Sequence, residues 1–198
     1  LLKLKNLNIN SPLFIMKSNG GVFSPDEASK FGIHMALSGP AAGTKGAAFL
    51  GKMVGLENLI TIDIGGTSAD ISVINSGEPK IKNATKIAEN PLSLSVVDIH
   101  TIGAGGGSIA SVAQNGAIIV GPKSAGADPG PASYGKGGEL PTVTDANLIL
   151  GRIPPHLLDG SVSLDIVAAK KSMLKYIAKP LGTNIYEASL GIIDIINE

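Results

Sequence analysis

The chain has 198 residues, 26 of them glycine, with no cysteine, no tryptophan and sixteen basic against sixteen acidic side chains. A hydrophobic share of 43% excludes intrinsic disorder, because disordered chains lack the apolar surface that offsets ordering entropy. Balanced charge argues against nucleic acid or an anionic membrane as partner, and zero cysteines exclude a disulfide framework and thiolate chemistry.

Glycine at about twice its usual share, without a three-residue period, is not collagen, so its placement is what matters. No run of about 18 uninterrupted apolar residues occurs, and no membrane span is predicted. The chain starts at Leu1 and ends at Glu198 inside a helix-spaced pattern without a stop signal. It reads as one soluble, cytoplasmic domain fragment, 1–198, of a longer protein.

In chain order, residues 13–17 read as a buried strand, and Ser24-Pro25-Asp26-Glu27 carries the cap, first-turn proline and early acids of a short helix. His34 to Leu37 suggests a short strand, and Pro40 to about Met53 a helix rich in small residues. Leu59 to Asp63 and Ile71 to Ile74 are strands either side of a Gly-Gly turn, and Asn75-Ser76-Gly77 is a further turn. A polar strand follows around Pro79 to Ile87. Eleven of the 26 glycines fall in the glycine-rich region 103–138. There Ser108 to Ala113 and Ala117 to Val120 flank the hairpin signal Asn115-Gly116, and 121–138 reads as a long ordered loop. The last part, 144–198, is helical, with segments at Thr144 to Leu150, Ser163 to Ile177 and Asn184 onward. Strands, hairpins and helices together indicate an α/β fold with a mixed sheet and flanking helices.

The sharpest feature is Asp63-Ile64-Gly65-Gly66-Thr67-Ser68-Ala69-Asp70. A four-residue loop at 65–68 sets Asp63 opposite Asp70, where like charges directly across a sheet are destabilising. Two carboxylates so placed suggest a cation between them, such as hydrated Mg²⁺ with phosphate as co-ligand. Gly65 and Gly66 leave backbone N–H groups open to an anion, and Thr67 adds a hydroxyl. The alternative is a plain Gly-Gly turn with Asp70 capping it.

Standard nucleotide motifs fail. Gly103 to Ser108 lacks the third glycine of a dinucleotide fingerprint, and Gly130 to Gly137 ends in glycine where a P-loop needs Ser or Thr. Gly105, Gly106, Gly107 and Ser108 still offer free donors for a phosphate or oxyanion, against the alternative of a tight bend needing positive φ. Asp98 and His100 share a strand face and suit either a second divalent metal, an acid–base pair, or a structural pair. Ser38 to Gly43 either presents a helix N-terminus to an anion or packs a helix closely on a sheet. His34 reads as a core or capping histidine, His156 as an exposed loop residue, Asp128 as structural and Asp145 as a helix cap.

Five motifs occur in order: Ser18 to Gly21, Ser38 to Gly43, Asp63 to Asp70, Asp98 to Ser108 and Gly126 to Pro131. Their succession, over nearly the whole chain, closely resembles the central domain of the hydantoinase A / 5-oxoprolinase family. The resemblance implies an actin-like (ribonuclease H-like) ATPase fold in which Asp63 to Asp70 is one of two hairpins gripping the phosphates of ATP. Ala69 departs mildly from the threonine that the family often has there. It further implies an ATP-dependent hydrolase of cyclic amides such as hydantoin, N-methylhydantoin or 5-oxoproline, with ATP activating the ring carbonyl and Mg²⁺ held near Asp63 and Asp70. Under it Asp63, Asp70 and His100 are the catalytic candidates, and Asp63, Asp70, Asp98 and His100 the metal candidates. Gly65, Gly66, Thr67 and Gly105 to Ser108 are the cofactor-binding candidates. A hydantoinase B-like subunit or domain and an oligomeric full-length protein are the expected partners. An ATP-dependent ketone carboxylase subunit and a non-catalytic nucleotide-gated module are the alternatives.

Overall fold

A computed structural model describes residues 1–83, 85–87, 90–157 and 160–198. The chain divides into two compact units, Leu1–Asp63 with Asp70–His100, and Ile64–Ala69 with Thr101–Glu198.

The first unit opens with α1 (Leu2–Asn6), the strand pair β1 (Ile15–Met16) and β2 (Val22–Phe23), and α2 (Pro25–Lys30). Ser24 and Glu27 close a reciprocal capping box at the start of α2, as the sequence pattern predicts. His34 lies in a 3₁₀ turn, Gly32–Met35, and not in a strand. The reason is long-range: the His34 carbonyl accepts from the backbone N–H and Oγ of buried Ser18, which fixes a turn there.

Helix α3 (Ser38–Val54) ends where Gly55 takes φ of 75°, a left-handed stop that favours glycine. Strand β3 (Leu59–Ile64) pairs with β4 (Ala69–Asn75), and β4 in turn with β5 (Glu78–Pro79) across Ser76-Gly77, both at positive φ. The predicted polar strand is broken into β5, β6 (Ile81–Lys82) and β7 (Thr85–Ile87), with β8 (Asn90–Leu92) and β9 (Val96–Val97) following. Strand β10 (Ile99–Ile102) completes a sheet of order β10-β4-β3, with β5 pairing the end of β4 at Ile74 and Asn75. A small core of Ala41, Val97 and Ile99 sits beneath it. As the border strand, β3 exposes Ile60, Ile62 and Ile64 at 71%, 63% and 69%.

The second unit is built on the β11 (Ser108–Val112) and β12 (Ile118–Ser124) hairpin, with α4 (Val143–Ile149), the pair β13 (His156–Leu157) and β14 (Val162–Ser163), and α5 (Ile166–Met173). The helix continues from α5 as a π turn, Leu174–Ala178, and then α6 (Lys179–Leu181), before α7 (Ile185–Asn197). Ala146, Leu148, Met173, Ile177 and Ile192 make the main core here. Two expectations are corrected. Strand β12 runs through Gly121-Pro122 to Ser124, so the irregular loop starts later than 121. The helix expected from Ser163 begins at Ile166, because Asp165 caps it by accepting from the N–H groups of Val167 and Ala168. His156 is a strand residue opposite Ser163.

Candidate functional site

In the first unit, Asp63 on β3 and Asp70 on β4 line one cleft of about 290 Å³. Its other walls include Thr61 and Ser72 from the same strands, and Pro40 and Thr44 from the first turns of α3. Side chains two apart on a strand share a face, which is why Thr61 accompanies Asp63 and Ser72 accompanies Asp70. That period-two rule was the available signal for these two hydroxyls; nothing in the sequence pointed to Thr44.

The hydroxyls form a directed chain. Thr44 Oγ1 donates its one proton to the Pro40 carbonyl at 3.0 Å, so at the 2.8 Å contact with Ser72 it accepts. Ser72 has then spent its proton, and the Thr61 hydroxyl donates to it. Thr44 and Ser72 are buried. Asp63 is exposed and, among the described residues, makes no hydrogen bond or ion pair. The cleft thus offers only oxygen donors, two of its side chains carboxylates, which is the donor set of a hard cation such as Mg²⁺ and not of an anion. Ser38 to Gly43 accordingly faces carboxylates across this cleft through Pro40 and Gly43.

Asp98 and His100 do not join this cleft. The Asp98 carboxylate is held by Lys82 at 3.1 Å and Lys80 at 3.4 Å. The Lys82 hydrogen bond is the main cause that keeps its carboxyl below the ordinary value of 3.8. His100 is exposed, and among the described residues no three His, Asp or Glu side chains gather as metal ligands. Of the four expected metal ligands the structure brings Asp63 and Asp70 to one cleft and leaves Asp98 and His100 outside it, Asp98 paired with lysines.

In the second unit, the hairpin tip is tighter than a four-residue loop. Gly65 N–H donates to the Ser68 carbonyl at 2.8 Å, leaving Gly66 and Thr67 as a two-residue turn. Their N–H groups have no protein acceptor among the described residues, so they stay available to an anion.

Gly105 to Ser108 behaves differently. Gly106 N–H donates to Gly65 O at 3.0 Å and Gly107 N–H to Gly66 O at 2.6 Å. Gly105 N–H donates to Ser108 Oγ, and Ser108 N–H to Gly105 O, both at 3.0 Å. All four donors of the expected oxyanion cradle are spent on the protein itself. The glycines are needed for close backbone approach, not positive φ: a Cβ on Gly105 would lie 2.7 Å from Gly65 O and 2.8 Å from Ser68 N. The segment is a clamp on the hairpin tip. Ser124 Oγ adds contacts at 3.5 Å to Gly66 O and Thr67 Oγ1.

Helix α4 anchors the clamp. Thr144 donates to Gly106 O from both N–H (2.7 Å) and Oγ1 (2.8 Å). Next to it, fully buried Asp145 does more than cap. Its Oδ2 accepts from Thr142 N–H, Thr142 Oγ1 and Ala132 N–H, and its Oδ1 from Ser133 N–H, which ties the end of the long loop to α4. Asp128 is exposed in that loop.

These features define a mixed α/β protein with an oxygen-lined acidic cleft and a glycine-clamped hairpin. The Hydantoinase/oxoprolinase family profile matches residues 2–198, and the chain belongs to that family. It is 38% identical to caprolactamase subunit alpha of Pseudomonas jessenii over 98% of this chain and 28% of that protein. It is 39% identical to 5-oxoprolinase of Saccharomyces cerevisiae over 92% of this chain and 15% of that protein. A nucleotide-free acetone carboxylase structure, from work on ATP-dependent acetone carboxylation, superposes with a TM-score of 0.88 at 33% identity, covering 99% of this chain and 28% of that one. The chain thus spans less than a third of the length of these relatives. The likeness bears out the actin-like ATPase fold. Among the described residues no helix is long and apolar enough to cross a membrane.

Proposed function

We propose that this chain is part of an ATP-dependent hydrolase of cyclic amides of the hydantoin, N-methylhydantoin or 5-oxoproline type, and that residues 1–198 contribute part of its ATP phosphate and Mg²⁺ site. The observation that carries this reading is the cleft in which Asp63 and Asp70 stand together among three hydroxyls, with Asp63 unpartnered. When bound, ATP supplies a phosphoryl group to the amide oxygen and Mg²⁺ neutralises its charge.

The chain's own residues bind and orient. Asp63 and Asp70 present oxygens to the cation, and Gly66 and Thr67 direct amide donors at a phosphate oxygen. Gly105 to Ser108, Ser124 and Thr144 hold the tip still, so little reorganisation is left for the moment of reaction. Asp98 and His100 are left out of the metal set, since Asp98 is taken by lysines. A second subunit, of the hydantoinase B kind, completes the active site in a cytoplasmic oligomer; the relative named subunit alpha supports such a division of labour.

The ketone-carboxylase reading has one specific observation behind it, the likeness to acetone carboxylase at a TM-score of 0.88. Phosphate release by the complete enzyme separates the two. Release on adding hydantoin, 5-oxoproline or caprolactam supports the hydrolase, and release only with acetone and bicarbonate supports the carboxylase. Asp63→Ala in that enzyme is expected to lower ATP turnover about 100-fold or more with an unchanged thermal melt, by loss of charge stabilisation. Undiminished turnover refutes the site.

A further inference from the structure

Away from the hairpin, the second unit carries a cleft of about 230 Å³ between the end of the long loop and the helix running through 166–178. Glu139 stands on the loop side, and Lys171, Ser172, Lys175 and Tyr176 on the helix side. Neither the family motifs nor the hairpin accounts for it.

The wall is organised before any ligand arrives. Ser172 Oγ donates to the Glu139 carbonyl at 2.6 Å, and the Tyr176 hydroxyl reaches Glu139 Oε2 at 3.5 Å. The Lys175 ammonium sits 4.6 Å from the Tyr176 ring centre. Lys171, by contrast, is exposed and has no ion-pair partner among the described residues. Lys175 and Tyr176 both belong to the π turn Leu174–Ala178, and π turns inside α-helices concentrate at functional sites because they cost hydrogen-bond geometry. Tyr176, with Glu139 as a lesser influence, raises the pKa of Lys175 above its ordinary value.

Two cations face one carboxylate. A simple anion leaves Glu139 as a like charge in the same cleft, whereas a molecule with both a carboxylate and an ammonium meets both signs. The volume admits roughly seven or eight waters at about 30 Å³ each, below the 300 Å³ floor of drug-sized pockets, so the ligand is small.

We propose that this cleft binds a small amino acid, with Lys171 and Lys175 meeting its carboxylate and Glu139 meeting its ammonium. Hydrolysis of a lactam such as 5-oxoproline adds water across the ring C–N bond and leaves a carboxylate and a free ammonium, so on the lactam branch of the function proposed above the ligand is of the product class. Binding itself does not depend on that reading and is measured without turnover.

The test is a titration of the chain with 6-aminohexanoate and with L-glutamate, followed by amide chemical shifts at 138–139 and 168–176. Hexanoate and inorganic phosphate are the comparison probes. Saturable shifts are expected for the amino acids, weakened about tenfold in Lys171→Met and again about tenfold in Glu139→Gln, the size of one charged hydrogen bond. Hexanoate is expected to bind more weakly and to gain, not lose, affinity in Glu139→Gln, while the Asp145 amide, unmoved in both variants, reports an intact fold. Lys171→Gln serves if the methionine variant loses that fold. Absence of saturation, phosphate binding as tightly as the amino acids, or amino-acid affinity indifferent to Glu139→Gln each overturns the proposal. Amino-acid binding in an enzyme that never opens a lactam leaves the cleft standing and removes only its product role.

Discussion

Asp145→Ala strikes the point where the long loop, α4 and the glycine clamp meet. The substitution strands the N–H groups of Ala132, Ser133 and Thr142, all at 3% exposure or less. One orphaned buried donor costs about 1–3 kcal/mol, while the N-cap itself, Thr142 Oγ1 accepting from the backbone N–H at 145, survives the substitution. Relaxation of the 132–134 turn makes the sum sub-additive, so the expected loss is about 3–5 kcal/mol. Asp145→Asn keeps an oxygen at the Oδ2 position, with its three donors, and turns an amide against Ser133 N–H alone. Its expected cost is about 1–3 kcal/mol. Tyrosine emission during urea unfolding reads this out, because Tyr134, Tyr176 and Tyr186 all lie in the second unit and there is no tryptophan. At a slope of about 2 kcal/mol per molar urea, the alanine variant's midpoint drops by about 2 M and the asparagine variant's by about 1 M. An alanine variant within about 1 kcal/mol of the parent, or the two variants unfolding together, refutes the network as the loop's anchor.

Two further outcomes are expected. Gly105→Ala meets backbone of the hairpin tip and is expected to cost about 2–4 kcal/mol, against about 1 kcal/mol for Gly106→Ala, whose Cβ meets only the rotatable Thr144 Oγ1 at 2.7 Å. Thermal melts with the opposite order sink the clamp. Asp98 has a depressed folded pKa, so its contribution is present above the unfolded value of 3.8 and is lost as pH falls through the folded one. Lys82→Met should return the Asp98 carbon-13 titration toward 3.8 and weaken that acid-side dependence, at a stability cost below about 1 kcal/mol because both side chains are a third exposed. An unmoved titration shows that Lys82 is not the cause.

Much of the local structure was legible in the chain itself. Ser24, Glu27 and Asp145 carry short-range capping signals, and the Asp63 to Asp70 hairpin announces itself by strand, glycine pair and strand. What escaped was long-range. Nothing local says that Gly106 and Gly107 donate to a turn some forty residues earlier, so their glycines looked like an anion cradle instead of a clamp. The run from His34 to Leu37 suggests a strand, yet bonds from Ser18 decide the His34 backbone. Asp98 and His100 share a strand face on paper, but Lys80 and Lys82 on neighbouring backbone claim the carboxylate first. Thr44 enters the acidic cleft only because α3 lies against the sheet of its own unit.

The isoleucine row on β3 has a practical consequence for anyone handling the chain alone. Among the described residues β3 is a border strand with Ile60, Ile62 and Ile64 exposed and no strand on its outer edge, and its six residues hold neither lysine nor proline to discourage a neighbour. Edge-to-edge pairing along this strand is therefore the expected route of self-association, read as light scattering that rises with concentration while the fold stays intact.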